Sequence, residues 1–159
     1  MSARGPKINN RDIKRLHSQG MRILAIDPGS EKSAFVILGC SRILNKGILP
    51  NKEFEDLISR DLDFDVVVIE DIACMGMPVG KSVFETVKFI GWLSAYCEPK
   101  YVYRREIKIH FCGSMKAKDA NIRQVLLDRL GKDATKGVVK DMWSALALAV
   151  YYQDKQEAK

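Results

Sequence analysis

The sequence predicts an α/β domain built on a mixed five-stranded sheet flanked by helices. Short strand-like runs joined by tight turns fill residues 22–49, which is typical of antiparallel hairpins. The β-branched run DVVVIED at 65–71 is typical of a central parallel strand that is buried on both faces. Amphipathic helical segments separate and follow the strands, and 159 residues is the length of one compact domain.

The first half of the chain predicts three strands and a helix before the central run. We expect the strands at 22–27, 33–40 and 42–49, with the turn PGSEK joining the first two as a hairpin. In 51–62 the apolar residues recur at the spacing of one helical face. They are Phe54, Leu57, Ile58 and Leu62.

The second half predicts one more strand and three helices. The helix KSVFETVKFIGWLSAYC occupies 81–97, and the short strand KYVYR follows at 100–104. A helix at 119–131 has Asp119 as its N-cap, and the last helix lies at 140–153. The predicted order of elements is therefore βββαβαβαα.

Charge and composition divide the chain into three parts. Residues 1–21 are predicted to be a basic flexible arm, 22–153 the folded domain, and 154–159 a polar tail. The net charge is +6, and the basic residues concentrate in the arm and in 100–140, whereas 21–99 has an excess of acids. Basic chains of this kind often bind nucleic acid.

Several functional classes are disfavoured by the sequence. It contains no run of about 18 apolar residues that would span a membrane, and no secretory signal, so we expect a cytoplasmic protein. The four cysteines form no CxxC pair, which argues against structural zinc. The loop GMPVGKS has three residues between Gly76 and Gly80, whereas a P-loop has four, so we expect no nucleotide cofactor.

The stretch ILAIDPGS, residues 23–30, ends a buried strand in a carboxylate. Asp27 has three interpretations: a turn former before Pro28 and Gly29, a helix cap, or a reactive group held by a rigid strand. The central run also ends in an acid, Glu70, and Asp141 opens the last helix.

These three acids would meet if the two apolar strands are parallel neighbours, because open α/β sheets build their active sites at the carboxyl ends of such strands. Carboxylates with no partner base repel one another, but a divalent cation would hold them together. Oxygen ligands favour Mg²⁺ or Mn²⁺, and two such ions about 4 Å apart can promote phosphodiester cleavage.

The motifs ILAIDPGSEKSAFVIL, VVVIED and KDMWSALALA together resemble the successive motifs of the RuvC-type Holliday junction resolvases. The similarity covers about residues 21–153 and is closest to the compact RuvC-like resolvases of lactococcal bacteriophages. It implies the ribonuclease H-like fold and a homodimer that cleaves four-way DNA junctions with two metal ions per active site.

The resemblance makes Asp27, Glu70 and Asp141 the catalytic metal ligands. The family usually has a fourth acid three residues after the third, and that position is Ser144 here. This departure leaves three interpretations: weaker metal binding, replacement by a neighbour such as Asp71, or an engineered inactive variant. Asp71 is a structural or supporting residue by our interpretation, because strand alternation points it to the opposite face from Glu70.

The basic residues around the predicted site are expected to hold DNA phosphates. Those in the fifth strand and the loop after it flank the acids, and Lys118 matches the functional lysines of the family best. The lysine of the GMPVGKS loop lies where the resemblance places the scissile strand. The candidate DNA-binding residues are Lys81, Arg104, Arg105, Lys108, Lys116 and Lys118.

The helix at 81–97 has more apolar surface than the sheet needs. Val83, Val87 and Ile90 are expected to face the core, and a second side is expected to form a dimer interface. That side consists of Phe89, Trp92 and Tyr96.

The sequence therefore predicts a metal-dependent endonuclease acting on branched DNA. Two rivals stay open: a structure-selective branched-DNA-binding protein with weak or no cleavage, and another ribonuclease H-like nuclease, such as one acting on RNA–DNA hybrids.

Overall fold

A computed structural model of the chain describes residues 20–59, 64–73 and 76–159. The greater part of the predicted arm, residues 1–19, lies outside these ranges, as does Leu62. None of the helices in the described ranges is long and apolar enough to cross a membrane.

Five strands form one sheet in the described part of the chain, in the order β3-β2-β1-β4-β5. β1 pairs with β2 and β2 with β3 in antiparallel register, whereas β1–β4 and β4–β5 are parallel. The prediction of a mixed sheet with the two most apolar strands as parallel neighbours is confirmed. The strands are β1 Arg22–Asp27, β2 Lys32–Gly39, β3 Arg42–Pro50, β4 Val66–Asp71 and β5 Lys100–Tyr103.

Helices cover both faces of the sheet, and strand alternation produces the two cores. Ile23 and Ala25 of β1 lie in the core beneath the last three helices, whereas Leu24 and Ile26 lie in the core beneath the first two. The described helices are α1 Phe54–Ser59, after a 3-10 turn at Asn51–Glu53, then α2 Lys81–Cys97, α3 Arg104–Cys112, α4 Asp119–Leu130 and α5 Met142–Glu157.

The region after β5 differs from the prediction, which gave it a strand and a loop. β5 ends at Tyr103, and α3 begins at the next residue. The sequence hides this helix because Ile107, Ile109 and Phe111 alternate as strand residues do. Only Ile107 is fully buried, while Ile109 is 49% exposed, so α3 packs through a narrow contact.

The prediction of Asp119 as an N-cap was also wrong. α4 starts at Asp119 itself, with Lys118 in the capping position, where its backbone N–H donates to Asn121 Oδ1. The Asp119 side chain is therefore available for a different contact, described below.

The inward face of α2 was predicted only in part: Ile90 is buried as expected, whereas Val87 and Phe89 were assigned to the wrong sides. Thr86, Phe89, Ile90 and Leu93 are the buried residues of this helix, at the i, i+3, i+4, i+7 spacing of one stripe. Phe89, expected outside, is in the core beside Phe54, and Val87, expected inside, is 49% exposed.

Candidate active site

Asp27 and Glu70 are delivered to the same edge by the two central strands. β1 and β4 run parallel with Ile26 opposite Ile69, so the next residue on each strand is one of the two acids. Asp27 follows the alternation of Ile23 and Ala25, and Glu70 follows that of Val68, so both carboxylates lie on the face covered by α3, α4 and α5.

A compact turn fixes the backbone after Asp27. The N–H of Gly29 donates to Ser33 Oγ at 3.0 Å, and the amide of Asn51 donates to the Gly29 carbonyl at 2.9 Å. Ser33 Oγ in turn donates to Asn51 Oδ1 at 2.6 Å. A Cβ at Gly29 would lie 2.2 Å from the carbonyl oxygen of Lys32, so only glycine fits this turn.

The start of α5 brings the third acid to the same edge. Asp141 precedes the helix, and its carbonyl accepts from the N–H groups of Ser144 and Ala145 at 3.0 and 3.2 Å. The Ser144 hydroxyl and Asp141 both act on the pKa of the Asp27 carboxyl: the charge of Asp141 raises it, and the hydroxyl lowers it. Thus α5 contributes one exposed acid and one hydroxyl to the site.

Arg104, the first residue of α3, lies among these groups. Its Nη1 donates to Glu70 Oε2 at 3.1 Å and to Ser144 Oγ at 3.0 Å, while Nη2 donates to Asp119 Oδ1. The Arg104 side chain is 28% exposed and that of Glu70 only 13%, so this pair is partly shielded from water. Arginine suits such a position because its planar group donates in several directions at once.

Burial and crowding of charge raise the pKa values of the two strand carboxyls. The pKa of Asp27 rises to about 7, first because of burial and then because Glu70 and Asp141 repel its ionised form. Burial also raises the pKa of Glu70, against the opposing effect of the Arg104 guanidinium. The site holds more negative charge than one arginine neutralises.

A divalent cation suits this donor set. Among the described residues, no group of three or more His, Cys, Asp or Glu side chains is arranged so that it could hold a metal ion. The donor types nevertheless fit: Asp27, Glu70 and Asp141 carry the hard carboxylate oxygens that Mg²⁺ and Mn²⁺ prefer.

Two clefts lie near the acidic edge, and four of the six predicted basic residues line them. Arg105 and Lys108 line a cleft of about 180 Å³ together with Tyr103, and the Arg105 guanidinium lies 5.3 Å from the centre of the Tyr103 ring. Lys81, at the start of α2, lines a wider one of about 550 Å³ beside Glu31 of the turn after Asp27.

The two remaining predicted basic residues lie farther along the chain, between α3 and α4. Lys116 and Lys118 are both exposed. Arg104 differs from the whole basic set, because its two Nη atoms already bond to protein oxygens.

The aromatic side of α2 forms a stack that leads from the core to the surface. Phe89 is 8% exposed, whereas Trp92 and Tyr96 are 36% and 42% exposed. The ring centres of Phe89 and Trp92 are 6.0 Å apart, and those of Trp92 and Tyr96 are 5.0 Å apart. Phe84 and Val87 add exposed apolar surface to the same helix, beside the exposed Lys88–Glu85 ion pair.

Two participants in the acidic cluster were missed by reasoning from the sequence. Arg104 was taken for a phosphate contact, and Asp119 for a helix cap. Their partners are 34 and 15 positions away along the chain, respectively, and no local pattern predicts such contacts. A usable signal was Glu106, whose carboxylate accepts from the N–H of Tyr103 and so marks the start of α3.

Comparison with known proteins relates the fold to one group of solved structures. No family model matches this sequence, and neither does any curated protein. The structure of T. thermophilus RuvC in complex with a Holliday junction substrate superposes with a TM-score of 0.65 at 13% identity, covering 87% of this chain and 96% of that one. A Thermus thermophilus RuvC structure gives 0.64 at the same identity and coverage.

These likenesses identify the architecture. The mixed five-stranded sheet flanked by helices is the ribonuclease H-like fold of RuvC, as predicted. At 13% identity the likeness concerns the fold, and the roles of individual residues are proposals.

Proposed function

We propose that this chain is a divalent-metal-dependent endonuclease that cleaves branched DNA, chiefly four-way junctions. The observation that carries the proposal is the convergence of Asp27, Glu70 and Asp141 at one edge of a RuvC-like fold. Burial of like-charged carboxyls costs stability, and Arg104 offsets this cost at Glu70, so a cation beside Asp27 and Asp141 would account for the rest of the cluster.

The proposed reaction is hydrolysis of a phosphodiester by water. Mg²⁺ or Mn²⁺ supplies a Lewis acid that activates the water and offsets charge on the leaving oxygen. Asp27, Glu70 and Asp141 would hold the cation. The turn at Gly29 keeps Asp27 in place.

The flanking clefts support a nucleic-acid substrate. Arg105 and Lys108 on one side, and Lys81 on the other, would hold phosphates on both sides of the acidic edge. Such contacts are independent of sequence, so we attribute the preference for branched DNA to the arrangement of sites rather than to base contacts. The fold resembles that of T. thermophilus RuvC in complex with a Holliday junction substrate, which favours this class of substrate.

A two-fold dimer would supply two such sites at a fixed spacing, as paired nicks across a symmetrical junction require. The interface that we propose is the outer face of α2, where exposed Trp92 and Tyr96 continue the stack begun by Phe89. The phage-type relationship completes the proposal, on the grounds given by the sequence motifs.

One observation favours a second function. Ser144 stands where the family has a fourth acid, and its hydroxyl already accepts from Arg104. A chain with weakened metal binding would recognise branched DNA and cut it poorly or not at all.

A cleavage assay separates these functions. A labelled four-way junction and a linear duplex of the same sequence are incubated with the chain and Mg²⁺ or Mn²⁺. The proposal expects paired nicks in the junction only, and expects Asp27→Asn to abolish them while junction binding persists or strengthens. Binding without nicks in the natural chain would favour the second function, and cleavage of an RNA–DNA hybrid in preference to the junction would favour another nuclease of this fold.

A further inference from the structure

The strongest unexplained feature of the site is the place taken by Arg104. It lies between Glu70 and Ser144, at 3.1 and 3.0 Å, and reaches Asp119 with its other terminal nitrogen. An arginine that serves only to bind phosphate would point its terminal nitrogens toward solvent. Both terminal nitrogens of Arg104 are instead engaged by groups of the site itself.

The position of Arg104 is held from two directions. The cap formed by Glu106 on the N–H of Tyr103, at 2.7 Å, starts α3 at Arg104. From the other side Asp119, the first residue of α4, accepts from the guanidinium. The side chain is therefore positioned by two helix starts, which favours a fixed charge over a mobile one.

A second metal ion would compete with this arrangement. Beside Glu70 it would meet the Ser144 hydroxyl in place of a carboxylate, and it would have to displace the guanidinium from both groups. A hydroxyl is a weaker ligand than a carboxylate for Mg²⁺ or Mn²⁺. The position that lacks the usual acid, Ser144, is therefore the same one that the Arg104 guanidinium contacts.

We propose that Arg104 takes the place of a second divalent cation, so that this site binds one ion where two are expected from the family pattern. Arg104 takes the second-ion position beside Ser144, and the single metal ion is held by Asp27 and Asp141, with Glu70 shared between that ion and the guanidinium. The role of Arg104 in catalysis rests on the proposed function. In a nuclease, a fixed guanidinium would stabilise negative charge on the phosphate without a second metal ion.

The test counts bound Mn²⁺ in the natural chain and in designed variants, by calorimetric titration and by electron paramagnetic resonance, with and without a saturating four-way junction. Two ions about 4 Å apart show spin coupling that a single ion lacks. The informative variant is Arg104→Gln combined with Ser144→Asp, which removes the internal cation and restores the acid. Arg104→Lys keeps the charge, and Arg42→Gln is the matched control at an exposed arginine to which the site assigns no role.

We expect one uncoupled Mn²⁺ per chain in the natural protein, in Arg104→Lys and in Arg42→Gln. We expect two coupled ions in the double variant. Two coupled ions in the natural chain would overturn the inference, and so would a folded double variant that still binds one. Circular dichroism establishes that each variant is folded. The number of Mn²⁺ ions bound by the natural chain tests the inference even if a variant does not fold.

Junction cleavage in the same samples separates this inference from the proposed function. One bound ion without cleavage would remove the nuclease proposal and leave the ion count standing. Cleavage by a natural chain that binds two coupled ions would support the nuclease proposal and overturn the inference about Arg104.

Discussion

Replacing Gly29 by alanine tests how firmly the turn holds the strand that carries Asp27. A Cβ at this position would lie 2.2 Å from the Lys32 carbonyl oxygen, and real contacts of this kind are not shorter than 3.0 Å, so the backbone must shift by at least the difference. Overpacking of this severity costs about 1–3 kcal/mol. Weakening the hydrogen bonds of Gly29 to Ser33 and Asn51 adds about 1 kcal/mol, so we expect about 2–4 kcal/mol in total.

Urea unfolding measures this loss. With a slope of about 2 kcal/mol per molar, the midpoint should fall by about 1–2 M in Gly29→Ala. The same shift would displace Asp27, two residues earlier, and a misplacement of about 1 Å at a reacting group costs about a hundredfold in rate. Junction cleavage should therefore fall further than the loss of folded protein explains.

Gly91→Ala is the matched control. Gly91 lies inside α2, and a Cβ there would have no atom within 4 Å, so the same substitution should stabilise the chain by about 0.5–1 kcal/mol. Both variants are measured at a concentration too low for self-association. An unfolding midpoint of Gly29→Ala equal to that of the natural chain would refute the packing account of the turn.

Three further predictions follow from other parts of the structure. Arg129→Ala should lower the free energy of unfolding by about 1–2 kcal/mol at pH 7, because Asp154 loses hydrogen bonds of 2.7 and 2.9 Å. Arg129 lowers the pKa of Asp154, so the ionised carboxylate stabilises the fold above the unfolded pKa of about 3.9. The difference in free energy of unfolding between the natural chain and Arg129→Ala should therefore shrink as pH falls below that value. A difference that stays constant with pH would contradict this prediction. Trp92→Glu should convert a dimer to the 18.0 kDa monomer in light scattering, whereas a natural chain that is monomeric at every concentration, with and without junction DNA, would rule out the dimer. Arg105→Glu with Lys118→Glu should weaken the binding of branched and linear DNA alike and flatten its salt dependence by about one unit per lost contact, and an unchanged salt slope would remove both residues from the interface.

The central strands were predictable because their sequences leave few alternatives. A run such as DVVVIED suits a strand buried on both faces, and parallel neighbours bring their last residues together. The convergence of Asp27 and Glu70 therefore follows from two local patterns and one rule of sheet topology, as the register of Ile26 with Ile69 bears out.

The position of Arg104 was not predictable in the same way. Its helix carries apolar residues in alternation, and its start lacks the serine, threonine or aspartate that usually marks a cap. Its charge partners come from β4, α4 and α5, so they are set by tertiary packing alone. The prediction of which residues of α2 face the core was partly wrong for a related reason. The helix offers two apolar stripes, and only the fit against Phe54 selects the one that contains Phe89.

The central claim is that the face of the sheet beneath α5 carries the catalytic carboxylates, and adjacent residues of β4 test it most directly. Glu70 lies on that face, whereas Asp71 alternates to the other side, where its Oδ1 accepts from the N–H of Ile72 at 2.9 Å. The measurement is the rate of nicking of a four-way junction in Mg²⁺ by Glu70→Gln and Asp71→Asn, with junction binding measured in parallel. We predict that Glu70→Gln loses cleavage and keeps binding, while Asp71→Asn retains most of both. Equal cleavage by the two variants, or loss only in Asp71→Asn, would contradict the account.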